Sequence, residues 1–153
     1  MQLEDLLIKN TIRAKLLLQT RDEIIQKAGE LLVEADAIEP RYVQAMKKVM
    51  NELGPYCVIA PGIALLHARP EDGVKKACLS LITLKKPVPF GHSTNDPVDV
   101  VFTLGARNKE DHIEALAELA DYLLQEKFLQ ILRGCENSQN LQMEIFEYIE
   151  RKK

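Results

Sequence analysis

The tightest constraint on the fold is a pair of strand-length runs, Lys76 to Leu84 and Val98 to Leu104, in which apolar residues continue rather than alternate with polar ones. A strand with one wet face alternates, whereas a run that is apolar on both of its sides needs cover on both faces. The second run opens after Asp96-Pro97 and the first closes at Lys85-Lys86-Pro87, which reads as a break because proline cannot donate to a ladder. Both runs therefore belong inside a sheet layered between helices.

The flanking sequence supplies those helices. Thr20 followed by Glu23 has the form of a capping box, and Ile24, Ile25, Ala28, Leu31, Leu32 and Ala35 recur at helical spacing, which predicts a helix over 21–35. Pro40 suits the first turn of a second helix; Val43, Met46, Val49, Met50 and Leu53 form its apolar stripe, and Gly54-Pro55 stops it. Downstream, Asn108 is an N-cap with Glu110 and Asp111 in the first turn, and Ile113, Leu116, Ala117, Ala120, Leu123 and Leu124 form the expected buried stripe. A helix from Glu126 to Leu132 ends at Gly134, and a last one, entered near Ser138, turns Leu141, Ile145, Tyr148 and Ile149 inward. Further strands are predicted within 10–18, on the run Thr11 to Leu16, and at Tyr56 to Ala60; after the Pro61-Gly62 turn the chain is apolar again from Ile63 to Leu66. With 153 residues and no internal repeat, the expectation is a single α/β domain over 1–153, a mixed β-sheet flanked by helices on both faces.

Composition narrows the function by exclusion. A net charge of −3 with no basic run leaves no electrostatic footprint for nucleic acid. The N-terminus carries acids where a signal peptide needs bases, and no apolar run approaches the ~18 residues of a membrane span, so the expected location is cytoplasmic. Cys57, Cys78 and Cys135 lack close spacing and read as reduced, packed thiols. There is no GxSxG elbow, P-loop, GxGxxG turn or HExxH pair, so hydrolase, nucleotide and metal readings lack their physical parts, and neither cofactor nor metal is expected.

Three histidines remain. His67 follows the apolar run 63–66 and precedes Arg69-Pro70-Glu71-Asp72; His92 lies in a polar loop; His112 falls in the first turn after Asn108. On spacing alone, the ordinary reading of His67 is an imidazole that closes a strand end against a neighbouring carbonyl. The chemical alternative is a nucleophile: an imidazole with an unperturbed pKa of about 6.5 offers a free lone pair at neutral pH. A phosphoryl group received there would need cationic or N–H donors. Arg69 is a phosphate-proximal candidate, or else a solvated side chain paired with Glu71. His112 at a helix N-terminus has both an imidazole and the helix's positive potential to offer an anion. His92 reads as a loop polar group.

A set of separated motifs carries a family likeness. Gly54-Pro55-Tyr56, Val58-Ile59-Ala60-Pro61-Gly62-Ile63-Ala64 and His67-Ala68-Arg69-Pro70-Glu71-Asp72-Gly73-Val74 resemble the active-site signature of the enzyme IIA components of the bacterial sugar phosphotransferase system, mannitol/fructose type, most like the ascorbate-type branch. The likeness continues through Pro89-Phe90-Gly91-His92, Asn95-Asp96-Pro97-Val98 and His112-Ile113-Glu114-Ala115-Leu116, and upstream through Ala28-Gly29-Glu30-Leu31-Leu32 and Glu39-Pro40-Arg41-Tyr42.

The resemblance implies a phosphocarrier, a phosphotransferase that accepts a phosphoryl group from HPr on His67. It then passes the group to a cysteine of a cognate IIB component, associated with a membrane IIC, during uptake of L-ascorbate or a related carbohydrate. It implies a stabilising role for His112 as the second histidine. It also implies a mixed sheet flanked by helices, in agreement with the periodicities. A homodimer is compatible with the family. The family usually has proline directly before the active histidine, where this chain has Leu66. A second reading of the same likeness is a regulatory IIA-like module whose phosphorylation is a signal; the chain boundaries, with no attached DNA-binding segment, lead us to expect the free-standing transport component.

Overall fold

The computed structural model describes residues 1–153. Five strands, β1 (Leu7–Leu16), β2 (Val58–Ala60), β3 (Ile63–Leu66), β4 (Cys78–Val88) and β5 (Val98–Gly105), form one sheet in the order β1-β4-β5-β3-β2. β1 is parallel to β4 and β3 to β5, while β4 and β5, and β2 and β3, pair antiparallel, so the sheet is mixed as expected. The helices are α1 (Leu3–Leu6), α2 (Arg21–Glu34), α3 (Pro40–Leu53), α4 (Lys109–Leu123), α5 (Glu126–Gly134) and α6 (Ser138–Lys152).

The unalternating runs have their explanation in two separate cores. Leu79, Leu81, Val100, Phe102 and Leu104 face one side, against Ala115, Leu119, Phe128, Leu132, Leu141 and Ile145 of α4, α5 and α6. Cys78, Ile82 and Val101 face the other, against Ile24, Ala28, Leu31, Tyr42, Val43 and Met46 of α2 and α3. Each buried aliphatic side chain contributes roughly 1.5–3 kcal/mol, so the strands that feed both cores anchor the domain. The caps form as expected: the Thr20 hydroxyl accepts from the Glu23 amide, and the Asn108 side chain accepts from the Asp111 amide.

Three expectations are corrected. β4 does not break at Lys85-Lys86-Pro87 but runs through to Val88; those three residues are exposed, and the β4–β5 register shifts between Thr83 and Val88, so Pro87 falls where the ladder is irregular. Tyr56 is not in a strand: Pro55–Cys57 forms a 3₁₀ turn, which the fixed φ of proline favours, and only Val58–Ala60 pairs. The fully buried line of α4 is Asp111, Ala115, Leu119 and Tyr122; of the expected stripe Leu116 and Leu123 are half-buried against the same core, while Ile113 is 57% and Leu124 86% exposed. The aromatic ring of Tyr122 decides that rotation, packing its centroid 5.2 Å from Phe128 and 6.3 Å from Tyr148.

Candidate functional site

β3 carries its four apolar residues fully into the cores and ends at Leu66, which pairs with Thr103 of β5. His67 is thus the first residue beyond the sheet, half-buried, on a backbone that the ladder orders up to its own peptide. Its Nδ1 lies 3.3 Å from the Leu65 carbonyl oxygen. A carbonyl only accepts, so this contact places the proton on Nδ1 and leaves the Nε2 lone pair free. Burial holds the His67 pKa below the usual histidine value; the Leu65 carbonyl opposes that shift and His112 adds to it. At neutral pH the imidazole is uncharged.

β5 runs parallel to β3, so both strands end on the same side of the sheet. Past Gly105, the short link through Ala106 and Arg107 reaches the Asn108 cap, and α4 begins there. This return brings His112 back to His67: the ring centroids are 5.2 Å apart, inclined by 51°. The pair sits at the carboxyl ends of parallel strands, where open α/β sheets place their ligands. An anion between the rings would meet one lone-pair nitrogen, a second imidazole and a helix N-terminus.

Two features escaped the sequence reading. Arg107 donates from Nε to Asp111 Oδ2 at 2.7 Å, and its amide donates to the same oxygen at 3.3 Å, so the acid in the first turn of α4 is already neutralised by a cation. That ion pair holds the Asp111 carboxyl below its usual range. Its four-residue spacing across the cap was the available signal. Tyr42 of α3, fully buried, accepts at its hydroxyl from the Ala68 amide at 2.8 Å and donates to the Leu104 carbonyl at 2.8 Å. Nothing local in the sequence pointed to contacts of that range.

Arg69 is exposed and lines a hollow with Lys48, Glu52 and Asp72, while its amide donates to Asp72 Oδ2 at 3.0 Å. His92 is a loop residue, as read: its Nδ1 accepts from the amides of Thr94 and Asn95 at 3.1 and 3.0 Å. The three cysteines are unpaired and buried, and burial pushes the Cys57 and Cys78 thiols up to about 11, far from thiolates. No group of three or more His, Cys, Asp or Glu side chains is placed to hold a metal ion, and no helix is long and apolar enough to cross a membrane. Beside His67 lies a small apolar hollow lined by Met46, Met50, Tyr56, Cys57 and Leu66 among others. Tyr56 and Leu53 on its rim are 73% and 62% exposed, and Leu66 of β3 closes it from the core side.

Comparison with known proteins places these features in a lineage. Residues 5–150 match the family model described as phosphoenolpyruvate-dependent sugar phosphotransferase system, EIIA 2. The chain is 41% identical to the ascorbate-specific PTS system EIIA component of Escherichia coli, over 99% of this chain and 97% of that protein. Among solved structures it is similar to the mannitol-specific cryptic phosphotransferase enzyme IIA of Escherichia coli, with TM-score 0.82, 28% identity and 99% of both chains covered. It is also similar to the mannitol enzyme IIA of Escherichia coli solved in complex with phosphorylated enzyme IIB, with TM-score 0.69, 30% identity, and 83% of this chain and 87% of that one covered.

Proposed function

The chain belongs to the EIIA type 2 family of the phosphoenolpyruvate-dependent sugar phosphotransferase system and is a phosphotransferase component; from that premise we propose that it carries a phosphoryl group on His67. The observation that carries the reading is the pairing of a neutral, half-buried imidazole with a second imidazole 5.2 Å away at a helix start. The Nε2 lone pair of His67 attacks the phosphorus of the group carried by HPr. The donor's bond to phosphorus breaks as the Nε2–P bond forms; the proton stays on Nδ1, which donates to the Leu65 carbonyl, and that acceptor steadies the charge gained by the ring. His112 and the amides at the start of α4 stabilise the phosphoryl oxygens. A cysteine thiolate of a cognate IIB component then attacks phosphorus, the N–P bond breaks, and His67 returns to its neutral form. The phosphoryl group is the only group exchanged, so the transfer itself consumes no nucleotide.

A IIB partner is supported by the relative solved with phosphorylated enzyme IIB, and an ascorbate-type substrate for the membrane IIC by the ascorbate-specific relatives. The setting that fits these partners is the cytoplasm, with residues 1–153 acting as one EIIA domain. Phosphoryl transfer from labelled phosphoenolpyruvate through enzyme I and HPr tests the reading. The parent protein should take up label and His67→Ala should not; label retained by His67→Ala would remove the assignment. His112→Ala should accept phosphate but lose it or transfer it at a different rate, and parental behaviour in both would remove the stabilising role.

A further inference from the structure

The two histidines come from different parts of the chain, and something must fix their separation. The β3–β5 ladder ends before either: its last pair is Leu66 with Thr103. Beyond it, two strand ends stand side by side, one continuing into His67 and Ala68, the other into Leu104, Gly105 and the cap of α4. The Tyr42 hydroxyl lies across that gap. It accepts from Ala68 N–H at 2.8 Å and donates to the Leu104 carbonyl at 2.8 Å, with the Ala68 carbonyl a longer alternative acceptor at 3.3 Å.

We infer that Tyr42 is the positioning residue of the site: its hydroxyl replaces the next rung of the ladder and sets the spacing of the His67 and His112 imidazoles. This rests on the proposed role of those two side chains. The hydroxyl is suited to the task because its two short contacts use one donor and one acceptor. Tyr42 is 0% exposed, and burial raises its pKa well above the ordinary tyrosine value, so the O–H proton that the Leu104 bond requires stays in place. Its ring is held among Val43, Met46 and the α2 side chains of the second core, so the oxygen is fixed from the helix side. α3 thereby acts on the distance between two groups that other elements carry, through the backbone on either side of the gap. Displacement of a reacting group by about 1 Å is enough to cost on the order of a hundredfold in rate.

Tyr42→Phe keeps the ring and deletes the tether. Three readouts on the full chain test the inference. The first is the cross-relaxation between His67 and His112 imidazole protons by NMR, which should weaken at least twofold in Tyr42→Phe while the rest of the amide spectrum stays dispersed. The second is phosphoryl transfer from HPr: the maximal rate should fall roughly tenfold or more, with KM for HPr unchanged because Tyr42 is buried away from any docking surface. Parental cross-relaxation, or a parental maximal rate, overturns the inference. Should Tyr42→Phe fail to fold, hydrogen exchange at Ala68 in the parent decides. Protection equal to that of β3 amides upholds the tether, and exchange at the rate of an open loop refutes it. The imidazole cross-relaxation needs no phosphate. A parent that never accepts label on His67 therefore refutes the proposed function alone, whereas a phosphorylated parent matched by Tyr42→Phe refutes the tether alone.

Discussion

Gly29 is where the packing of the second core is tightest, and its substitution makes a quantitative test. A Cβ built on Gly29 in α2 would lie 2.5 Å from Val43 Cγ2 and 3.0 Å from Cγ1. Carbon atoms settle at about 3.5–4.0 Å. Val43 cannot turn away, since a β-branched side chain in a helix has one strongly preferred rotamer and this one is buried. Relief requires α3 to shift. Two terms oppose each other in Gly29→Ala. Alanine improves on glycine in a helix interior by about 1 kcal/mol, and overpacking of a filled core costs about 1–3 kcal/mol. A contact this short belongs at the upper end of that range, so the expected net loss is about 2 kcal/mol.

Urea unfolding of parent and variant measures this directly, and for a chain of this size the loss corresponds to about 4–8 °C in Tm. Val43→Ala in the Gly29→Ala background should recover part of it, with a coupling of about 1 kcal/mol or more relative to the sum of the single changes. A Gly29→Ala variant as stable as the parent, or more so, would show that the α2–α3 contact has slack and that propensity alone decides. Because Tyr42 precedes Val43 on α3, the same displacement reaches the proposed tether.

Two further expectations concern buried polar groups. Ser80 Oγ and Thr103 Oγ1 face each other across the β4–β5 pair with no hydrogen-bond partner in the protein, so Thr103→Val should leave stability unchanged or raise it by up to about 1 kcal/mol in the same assay. The Asp111 carboxyl has its pKa depressed by Arg107, so its contribution is complete above the unfolded pKa of about 3.9 and is lost as pH falls through the folded value; Asp111→Asn should lower stability at pH 7 and flatten its decline below about pH 4.

Much of this architecture is legible in local pattern. The capped starts of α2 and α4, the proline at the start of α3 and the doubly covered central strands are decided by residues close together in sequence, and the periodicities report them. The face that α4 buries is not local. Its apolar residues outnumber those one face can bury, and the choice of Ala115, Leu119 and Tyr122 over Ile113 and Leu124 is made by Phe128 and Tyr148 from other helices. The site divides in the same way. His67 and His112 are visible one at a time, as the end of a strand and the start of a helix, but their pairing depends on β3 and β5 being parallel neighbours, a property of topology that no spacing contains. Tyr42 is harder still, since its contacts lie 26 and 62 residues away.

The residue before His67 shows how such non-local support can stand in for a local one. Proline there would fix φ and remove an N–H, holding the approach to the histidine extended by covalent means. Leu66 has no ring to do this, but it lies within β3, in register with Thr103, so the ladder imposes the extended backbone instead. Its side chain is 2% exposed and lines the hollow beside His67, so it also packs the base of the site. The constraint has moved from one peptide to the sheet, and a ladder constrains only as far as its last pair. That pair is Leu66 itself. Directly past it, at Ala68, the Tyr42 hydroxyl takes the amide that the sheet no longer holds. With leucine before His67, the approach to that histidine depends more heavily on a fixed point immediately after it, and α3 supplies one.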